Sequence, residues 1–579
     1  MPAAVLSNWI WDNKYRLQRN DRAETDLDAT WRRVARAVAR VEAAPARQLW
    51  TPRFLEQLRS GRLLPGGRII AGAGSGQRRT LCNCFVMGTL EDSLSGIMRG
   101  LRESAVTLQQ GGGIGIDFSP LRPAGSIARG SGGIASGPVS FMEIWDSTCS
   151  TLLSTSPRRG AMMATLRCDH PDIERFVDAK RARGRLSGFN LSVLISDAFM
   201  QALQADGPWL LSHPSDYRGH HPHSGSARRQ IGARDLWQRL LRAAYDSAEP
   251  GVLFIDRINA CNNLRWREQI SATNPCGEVP LPANGSCNLA ALNLPAFIAS
   301  PFCTDAQVDL RSLAESAAIA VRFLDDVIDV TRFPLRAQAS EARATRRIGL
   351  GITGLADALV MLGLRYDSET ARRQAGAIMR TITHAAYQAS IALAEERGSF
   401  PCFEQQPYLH SEFIGTLPAE LRDNIARHGI RNSHLTAIAP TGSISLLAGN
   451  VSSGMEPIFS DRYERRLRDA RGRLTTMEIE DWSLGLWRAR GHSGLPPAFS
   501  PLQQISADDQ LAMQAVLQPF VDNAISKTVS VAASTGFESF AAIYERAWAL
   551  GLKGCTAYRP DTIRGAVIGC SQASPCERE

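Results

Sequence analysis

Short apolar runs punctuated by glycine alternate with helical patterns along most of this chain, and that alternation is its strongest constraint on fold. From Leu63-Leu64-Pro65-Gly66-Gly67 to about residue 200 the sequence is glycine-rich. Runs such as Gly115-Ile116-Asp117-Phe118 and Leu191-Ser192-Val193-Leu194-Ile195 suit buried strands separated by functional loops. Ahead of them, Trp31, Val34, Val38 and Val41 recur at spacings of three and four, which predicts helix over residues 25–60. Further on, the spacing predicts a helix from Ser312 to Val330 with Ala320, Phe323, Leu324, Val327 and Ile328 on its buried stripe. Asp325, Asp326 and Asp329 fall mostly off that stripe and read as a solvated face rather than a carboxylate metal site. Another helix starts at Ser368, a natural N-cap, and ends at Gly398 before Pro401. Strands alternating with helices imply an α/β core with a mostly parallel sheet or barrel.

Composition narrows the setting. The 44% hydrophobic and 21% charged fractions are ordinary for a globular chain of 579 residues. No stretch reaches the roughly 18 uninterrupted apolar residues of a membrane span. Met1 to Leu17 mixes tryptophans with both charges instead of forming a secretory signal, so a cytoplasmic location is expected. The net charge of +8 suits anionic ligands such as nucleotides. It is spread over the chain without a Lys/Arg block, so no specific nucleic-acid face is expected. The 12 cysteines include no CxxC, which argues against a structural zinc site, and no metal site is predicted. The polar stretch 205–230, with His213, His220, His221 and His223, reads as a solvated hairpin or surface loop.

The chemistry concentrates in Asn274-Pro275-Cys276-Gly277-Glu278, followed by Gly285-Ser286-Cys287-Asn288-Leu289. In an extended loop residues two apart point the same way, so Asn274, Cys276 and Glu278 can converge on one substrate. Cys287 follows eleven residues after Cys276, close enough to return beside it. Any one of these residues alone reads as readily as a buried Cys in a turn or a surface Glu. Taken together they closely resemble the finger loop of ribonucleotide reductases, and the resemblance runs from about Leu64 to Gly565. Leu64-Pro65-Gly66-Gly67-Arg68, Cys84-Phe85-Val86, Glu91-Asp92-Ser93 and Gly111-Gly112-Gly113-Ile114-Gly115 are similar to family motifs. So are Ser131-Gly132-Gly133, Gly137-Pro138-Val139-Ser140-Phe141, Arg158-Arg159-Gly160-Ala161 and Asp169-His170-Pro171-Asp172-Ile173. Phe189-Asn190-Leu191-Ser192-Val193 and Gly351-Ile352-Thr353-Gly354-Leu355-Ala356-Asp357 complete the series.

The resemblance implies a ten-stranded α/β barrel of ribonucleotide reductase type (residues 63–565), a helical N-terminal region (1–62) and a C-terminal redox tail (566–579). It implies a thiyl radical on Cys276 that takes the 3′ hydrogen of the ribose, with Glu278 as general base and Asn274 holding the substrate. By position the reducing thiols are Cys84 and Cys287, which finish as a disulfide. Cys82, two residues from Cys84, would share its strand face, but Phe85-Val86 aligns Cys84 with the motif. Pro440, Thr441, Gly442, Ser443 and Ser445 follow an apolar run and could open a helix, whose free N–H groups bind anions. The stretch lacks the Gly-Lys-Ser/Thr of a P-loop; it matches the family's loop for the substrate phosphate. The glycines at 111–115 do not complete a GxGxxG pattern, which speaks against a Rossmann unit.

The family makes its radical in three ways. A separate subunit delivers it through two adjacent tyrosines, yet Gly554-Cys555-Thr556-Ala557-Tyr558-Arg559-Pro560 holds one tyrosine beside an alanine. The anaerobic class needs a glycyl-radical motif, and none occurs. The stretch is similar instead to the adenosylcobalamin-dependent class, which makes adenosylcobalamin the expected cofactor. A class I-type large subunit fed by a separate radical-generating subunit, and a non-catalytic nucleotide-binding relative, are the rival readings. Cys570 and Cys576 suit disulfide shuttling to a thioredoxin-like reductant. Asp92 and Ser93, with Arg122 and Arg129, match a site for a dNTP allosteric effector, and residues 181–189 match the loop relaying effector identity to the substrate base. The implied partners are a ribonucleotide substrate, that effector, the reductant and a second copy of the chain in a homodimer.

Overall fold

The computed structural model describes residues 3–18, 23–127, 133–153, 161–182, 184–213, 229–469, 472–560 and 568–569. The first part is helical. Leu27–Ala39 begins where Asp26 accepts a hydrogen bond from the Ala29 amide at 2.7 Å, and Ala44–Arg59 follows. The expected single helix is thus two, broken around residues 40–43, and Val41 lies exposed beyond the first of them while Trp31, Val34 and Val38 are buried. These side chains share one apolar core with the Leu310–Val330 and Glu369–Arg397 helices. Ser368 caps the latter as the sequence predicts, accepting from Ala371 N at 3.1 Å, and Gly398 ends it.

Five strands run parallel in the order Cys84–Val86, Gly113–Asp117, Met162–Arg167, Phe189–Ile195 and Gly251–Phe254. Both edges then turn antiparallel. Ser286–Cys287 pairs with Cys84–Phe85 at one edge, and Gly554–Tyr558 with Gly251–Phe254 at the other. Leu289–Asn293, immediately after Cys287, pairs in parallel with Gly349–Thr353. From there the pairing passes through isolated parallel bridges, Leu350 to Thr436 and Ile438 to Ile525, and Thr528–Ser530 lies parallel to Gly554–Tyr558. The first half of the fold is thus an eight-stranded sheet. The second is a three-stranded sheet of Leu63–Pro65, Leu289–Asn293 and Gly349–Thr353 that continues only through those single bridges. Among the described residues no continuous ladder closes the two into a barrel. The near-continuous apolar strands fit sheets covered on the outside by helices.

Two expectations need correction. Asp325 and Asp326 are fully buried, not a solvated face. Asp325 pairs with Arg346 at 2.7 Å, Asp326 with Arg397 at 2.8 Å, and the partly exposed Asp329 with Arg346 at 2.8 Å. Helical periodicity registers where an apolar stripe lies but not that other segments cover the opposite face with arginines. In the 205–230 segment, Pro208–Leu211 and Arg229–Gly232 do form a hairpin. His213 at its base is buried, however, with its ring edge-on to His170 at 5.3 Å. His220, His221 and His223 lie outside the described residues, as do Ser131-Gly132 and Arg158-Arg159-Gly160.

Candidate active site

The finger is a hairpin, Ala272–Thr273 paired antiparallel with Pro280–Leu281, and Cys276 lies at its tip. Gly277 takes φ +83°, a conformation only glycine adopts without strain, and donates its amide to Asn274 O at 3.0 Å to close the turn. Contacts from both halves of the fold hold the hairpin between them. From the first half, Thr165 Oγ1 donates to Ser271 O at 2.8 Å and Asn190 Nδ2 to Pro275 O at 2.9 Å. From the second, Arg347 Nη1 donates to Pro280 O at 3.0 Å and Ala524 N to Glu278 O at 2.9 Å. Packing is close: a Cβ on Gly115 would lie 1.9 Å from Thr273 O.

The structure brings together the five residues assigned to chemistry. Cys84 and Cys287 are direct cross-strand partners, and Cys84 N donates to Cys287 Sγ at 3.0 Å. A Cβ on Gly113 would touch Cys84 Sγ at 3.0 Å and Pro275 Cγ at 3.1 Å, so that glycine lets the thiol and the finger meet. All three cysteines are free thiols. Cys276 is exposed at the tip, yet desolvation by the protein around it, with Glu278 and Cys84 close by, pushes its thiol well above the usual range. Desolvation likewise raises Cys287, reinforced by Cys84. Cys82 is buried beside Ser286 and Thr331, ahead of the strand that opens at Cys84, and burial pushes its thiol to about 12.

Glu278 is 3% exposed, and desolvation lifts its carboxyl to about 7, partly offset by hydrogen bonding from its own backbone and the neighbouring Asn274 side chain. Asn274 Oδ1 accepts from Val279 N at 3.0 Å. Its Nδ2, and Glu278 Oε2, are buried without a hydrogen bond of good geometry. Buried polar atoms are normally paired, and two such atoms on one hairpin beside three thiols are what a polar substrate would satisfy.

Nearby, Gly442–Leu447 is a short helix behind Thr441. Residues 439–444 line a cavity of about 80 Å³ together with Gly66, Gly67 and Asn83, the residue before Cys84. Elsewhere, Ser93 caps the Leu94–Gln109 helix, accepting from Gly96 N at 3.0 Å, and the Asp92 carboxylate pairs with Arg122 Nε at 2.8 Å. Arg129, Cys570 and Cys576 lie outside the described residues. Asn190 and Arg347, which hold the finger by its backbone, were not assigned from sequence; Asn190 stood inside a matched motif, whereas nothing local marks Arg347.

A cysteine-bearing hairpin held from both halves of an α/β fold, with two further thiols facing each other beside it, is the arrangement of a radical-type nucleotide reductase. The family described as "Ribonucleotide reductase, barrel domain" matches residues 82–558, and "Ribonucleotide reductase, all-alpha domain" matches residues 4–78. The chain belongs to the ribonucleotide reductase family. It is 39% identical, over 95% of its length and 77% of the relative's, to a "Vitamin B12-dependent ribonucleoside-diphosphate reductase" of Mycobacterium tuberculosis. A protein of the same description from Thermoplasma acidophilum is 35% identical over 91% of this chain and 68% of its own. A "Ribonucleoside-diphosphate reductase large chain" of Neurospora crassa is 30% identical over 67% of this chain and 45% of its own. Among the described residues no helix is long and apolar enough to cross a membrane.

Proposed function

We propose that this chain reduces ribonucleoside diphosphates to 2′-deoxyribonucleotides, with adenosylcobalamin as its radical source. The observation that carries the reading is the hairpin bearing Asn274, Cys276 and Glu278 set beside the facing pair Cys84 and Cys287. The cofactor assignment draws on the vitamin B12-dependent relatives and on the surroundings of the finger tip. A Cβ on Gly277 would meet nothing within 4 Å and Cys276 is exposed, so no side chain packs directly over the finger tip at Gly277. When bound there, adenosylcobalamin supplies the radical by homolysis of its cobalt–carbon bond. Ala557, fully buried, stands beside Tyr558 where a relay from another subunit would need a second phenol.

Cys276 as a thiyl takes the hydrogen from C3′ of the ribose, forming its S–H bond and leaving a carbon radical. Glu278, with its carboxyl near 7, accepts the 3′ hydroxyl proton, and Asn274 Nδ2 donates to the substrate. The 2′ hydroxyl leaves as water with a proton from the Cys84/Cys287 pair. The pair's second hydrogen goes to C2′ as its two electrons reduce the sugar and it closes to a disulfide. Glu278 returns the proton to the 3′ oxygen, and Cys276 returns its hydrogen to C3′. The balance is one ribonucleotide and two thiols converted to one deoxyribonucleotide, one water and one disulfide.

The 440–445 loop holds the substrate phosphates, and Asp92, Ser93, Arg122 and Arg129 serve a dNTP effector at a homodimer interface. Residues 181–189 relay effector identity, and Asn190, which follows them, ties their end to the finger at Pro275. The tail carrying Cys570 and Cys576 passes electrons from a thioredoxin-like reductant. Ile568–Gly569, just before Cys570, pairs antiparallel with Glu464–Arg465.

The deciding experiment measures deoxyribonucleotide formation with and without adenosylcobalamin, with no second subunit, for the native chain and Cys276→Ser. Cofactor-dependent turnover abolished by the substitution is expected. Turnover without cofactor, or an active Cys276→Ser variant, would overturn the reading.

A further inference from the structure

The N-terminal helical segment packs behind the loop that lines the cavity assigned to the substrate phosphates. Ala3–Ile10 continues into a π turn, Trp11–Tyr15, closed by Arg16 N donating to Trp11 O at 2.8 Å. Such turns are rare and recur at functional sites. This segment spans the Gly442–Leu447 helix from end to end: Ser7 Oγ donates to Leu447 O, and the Tyr15 phenol donates to Ser443 Oγ at 2.7 Å. Tyr15 is 2% exposed, whereas Ser443 is half-buried and lines the cavity.

The three hydroxyls of the loop differ in what they have left to offer. Thr441 Oγ1 is engaged by Thr353 Oγ1 at 2.7 Å and by Gly454 N at 3.0 Å, and approaches Ser453 Oγ at 3.4 Å. Ser445 Oγ donates back to Gly442 O at 3.2 Å. Ser443 Oγ accepts from Tyr15, and among the described residues nothing takes its hydrogen. A serine hydroxyl has one hydrogen and two lone pairs. Filling one lone pair with a phenol O–H orients the remaining hydrogen and, by polarising the hydroxyl, makes it a better donor.

We propose that Tyr15 is a positioning residue for the substrate diphosphate: it holds Ser443 with its hydroxyl hydrogen turned into the cavity, toward a phosphate oxygen. The N-terminal helical region thereby forms part of the substrate site. The proposal rests on assigning the 440–445 loop to the substrate phosphates.

The test is a double-mutant cycle on the full chain with its cofactor, using Tyr15→Phe, Ser443→Ala and the double variant. Tyr15→Phe should raise KM for a ribonucleoside diphosphate by about three- to tenfold, the worth of one modest hydrogen bond, with kcat changed by less than about twofold. Inhibition by the matching nucleoside, which lacks phosphate, should be unchanged, and so should the thermal midpoint. Adding Tyr15→Phe to Ser443→Ala should raise KM no further. An unmoved KM in Tyr15→Phe would overturn the proposal. So would equal weakening of nucleoside and diphosphate, or an equal effect of Tyr15→Phe in the Ser443→Ala background. Ser443→Ala tests the contact from the loop side even if the Tyr15 variant folds poorly. A native chain inactive on every ribonucleotide refutes the functional reading instead, so the two failures are distinguishable.

Discussion

Cys84 and Cys287 face each other directly across an antiparallel strand pair, with the Cys84 amide donating to Cys287 Sγ at 3.0 Å. Residues opposed in such a pair have Cα atoms about 4.5–5.5 Å apart, inside the range a disulfide spans. Their oxidation therefore needs no rearrangement of the strands. A mild oxidant should close Cys84 to Cys287, read as one linked peptide pair after digestion, and Cys276→Ser should not prevent it. Cys84→Ser or Cys287→Ser should lower steady-state turnover by at least about a hundredfold, the scale of losing a group that takes part in the chemistry. A linkage from Cys82 to Cys287 instead would show that the wrong thiol had been assigned.

Glu278 links catalysis to pH. If its carboxylate is the base, kcat should rise through an inflection near 7, matching the carboxyl raised to about 7 by desolvation. Glu278→Gln should remove that limb along with most of the activity. Stability should move the other way. A carboxyl at 4.5 when unfolded and about 7 when folded costs stability as pH rises between those values, and the full cost persists above 7. Glu278→Gln should therefore raise the free energy of unfolding in urea at pH 8, by no more than about 3 kcal/mol, and leave it nearly unchanged at pH 4. A midpoint lowered at pH 8 would mean the carboxylate is held by partners rather than merely buried.

Much of the site was legible because its chemistry is local. Asn274, Cys276 and Glu278 lie within one hairpin, although across a tight turn closed by Gly277 N on Asn274 O rather than along the extended loop the spacing suggested. The facing of Cys84 and Cys287 spans 203 positions and followed only from resemblance, since no periodicity encodes which strands become neighbours. The same limit hid Arg347, whose contact with Pro280 O depends on two distant segments meeting. Asp325 and Asp326 misled for a related reason: polar residues off an apolar stripe look solvated until arginines from other segments cover them. Tyr15 gave no signal, because its partner Ser443 lies 428 positions away.

Gly115 places a limit on how the finger is seated. A methyl group there would lie 1.9 Å from Thr273 O and 2.9 Å from the Thr273 carbonyl carbon, both backbone atoms that cannot rotate aside. Gly115→Ala should push the base of the hairpin off the strand and shift Cys276 relative to Cys84. Displacements near 1 Å cost on the order of a hundredfold in rate. Gly125→Ala is the control, because a Cβ there meets nothing within 4 Å, although its φ of +87° carries a local cost of its own. Full activity in Gly115→Ala would show that the finger tolerates movement.

The buried acids of the Leu310–Val330 helix should respond in opposite senses. Asp325 is desolvated, but Arg346, Arg431 and Asn432 more than offset this and hold it ionised below the usual range. Asp326 shares Arg397 with Glu42; Glu42 is held down to about 2, while desolvation and that neighbouring charge raise Asp326 to about 8. Asp325→Asn leaves buried guanidinium groups short of a counter-charge, and breaking such a pair costs about 3–5 kcal/mol. Asp325 stabilises the fold at pH above its unfolded value of 3.8, and that contribution is lost as pH falls through its lower folded value. Asp326→Asn replaces a largely protonated group at pH 7 and should change the free energy of unfolding in urea by less than about 1 kcal/mol. Because ionising Asp326 costs stability as pH rises from 3.8 toward 8, that variant should be the more stable one at pH 9. If Asp326→Asn proved as damaging at pH 7 as Asp325→Asn, Arg397 would be paired with a charged Asp326, and Glu42 could not be the carboxylate that holds it.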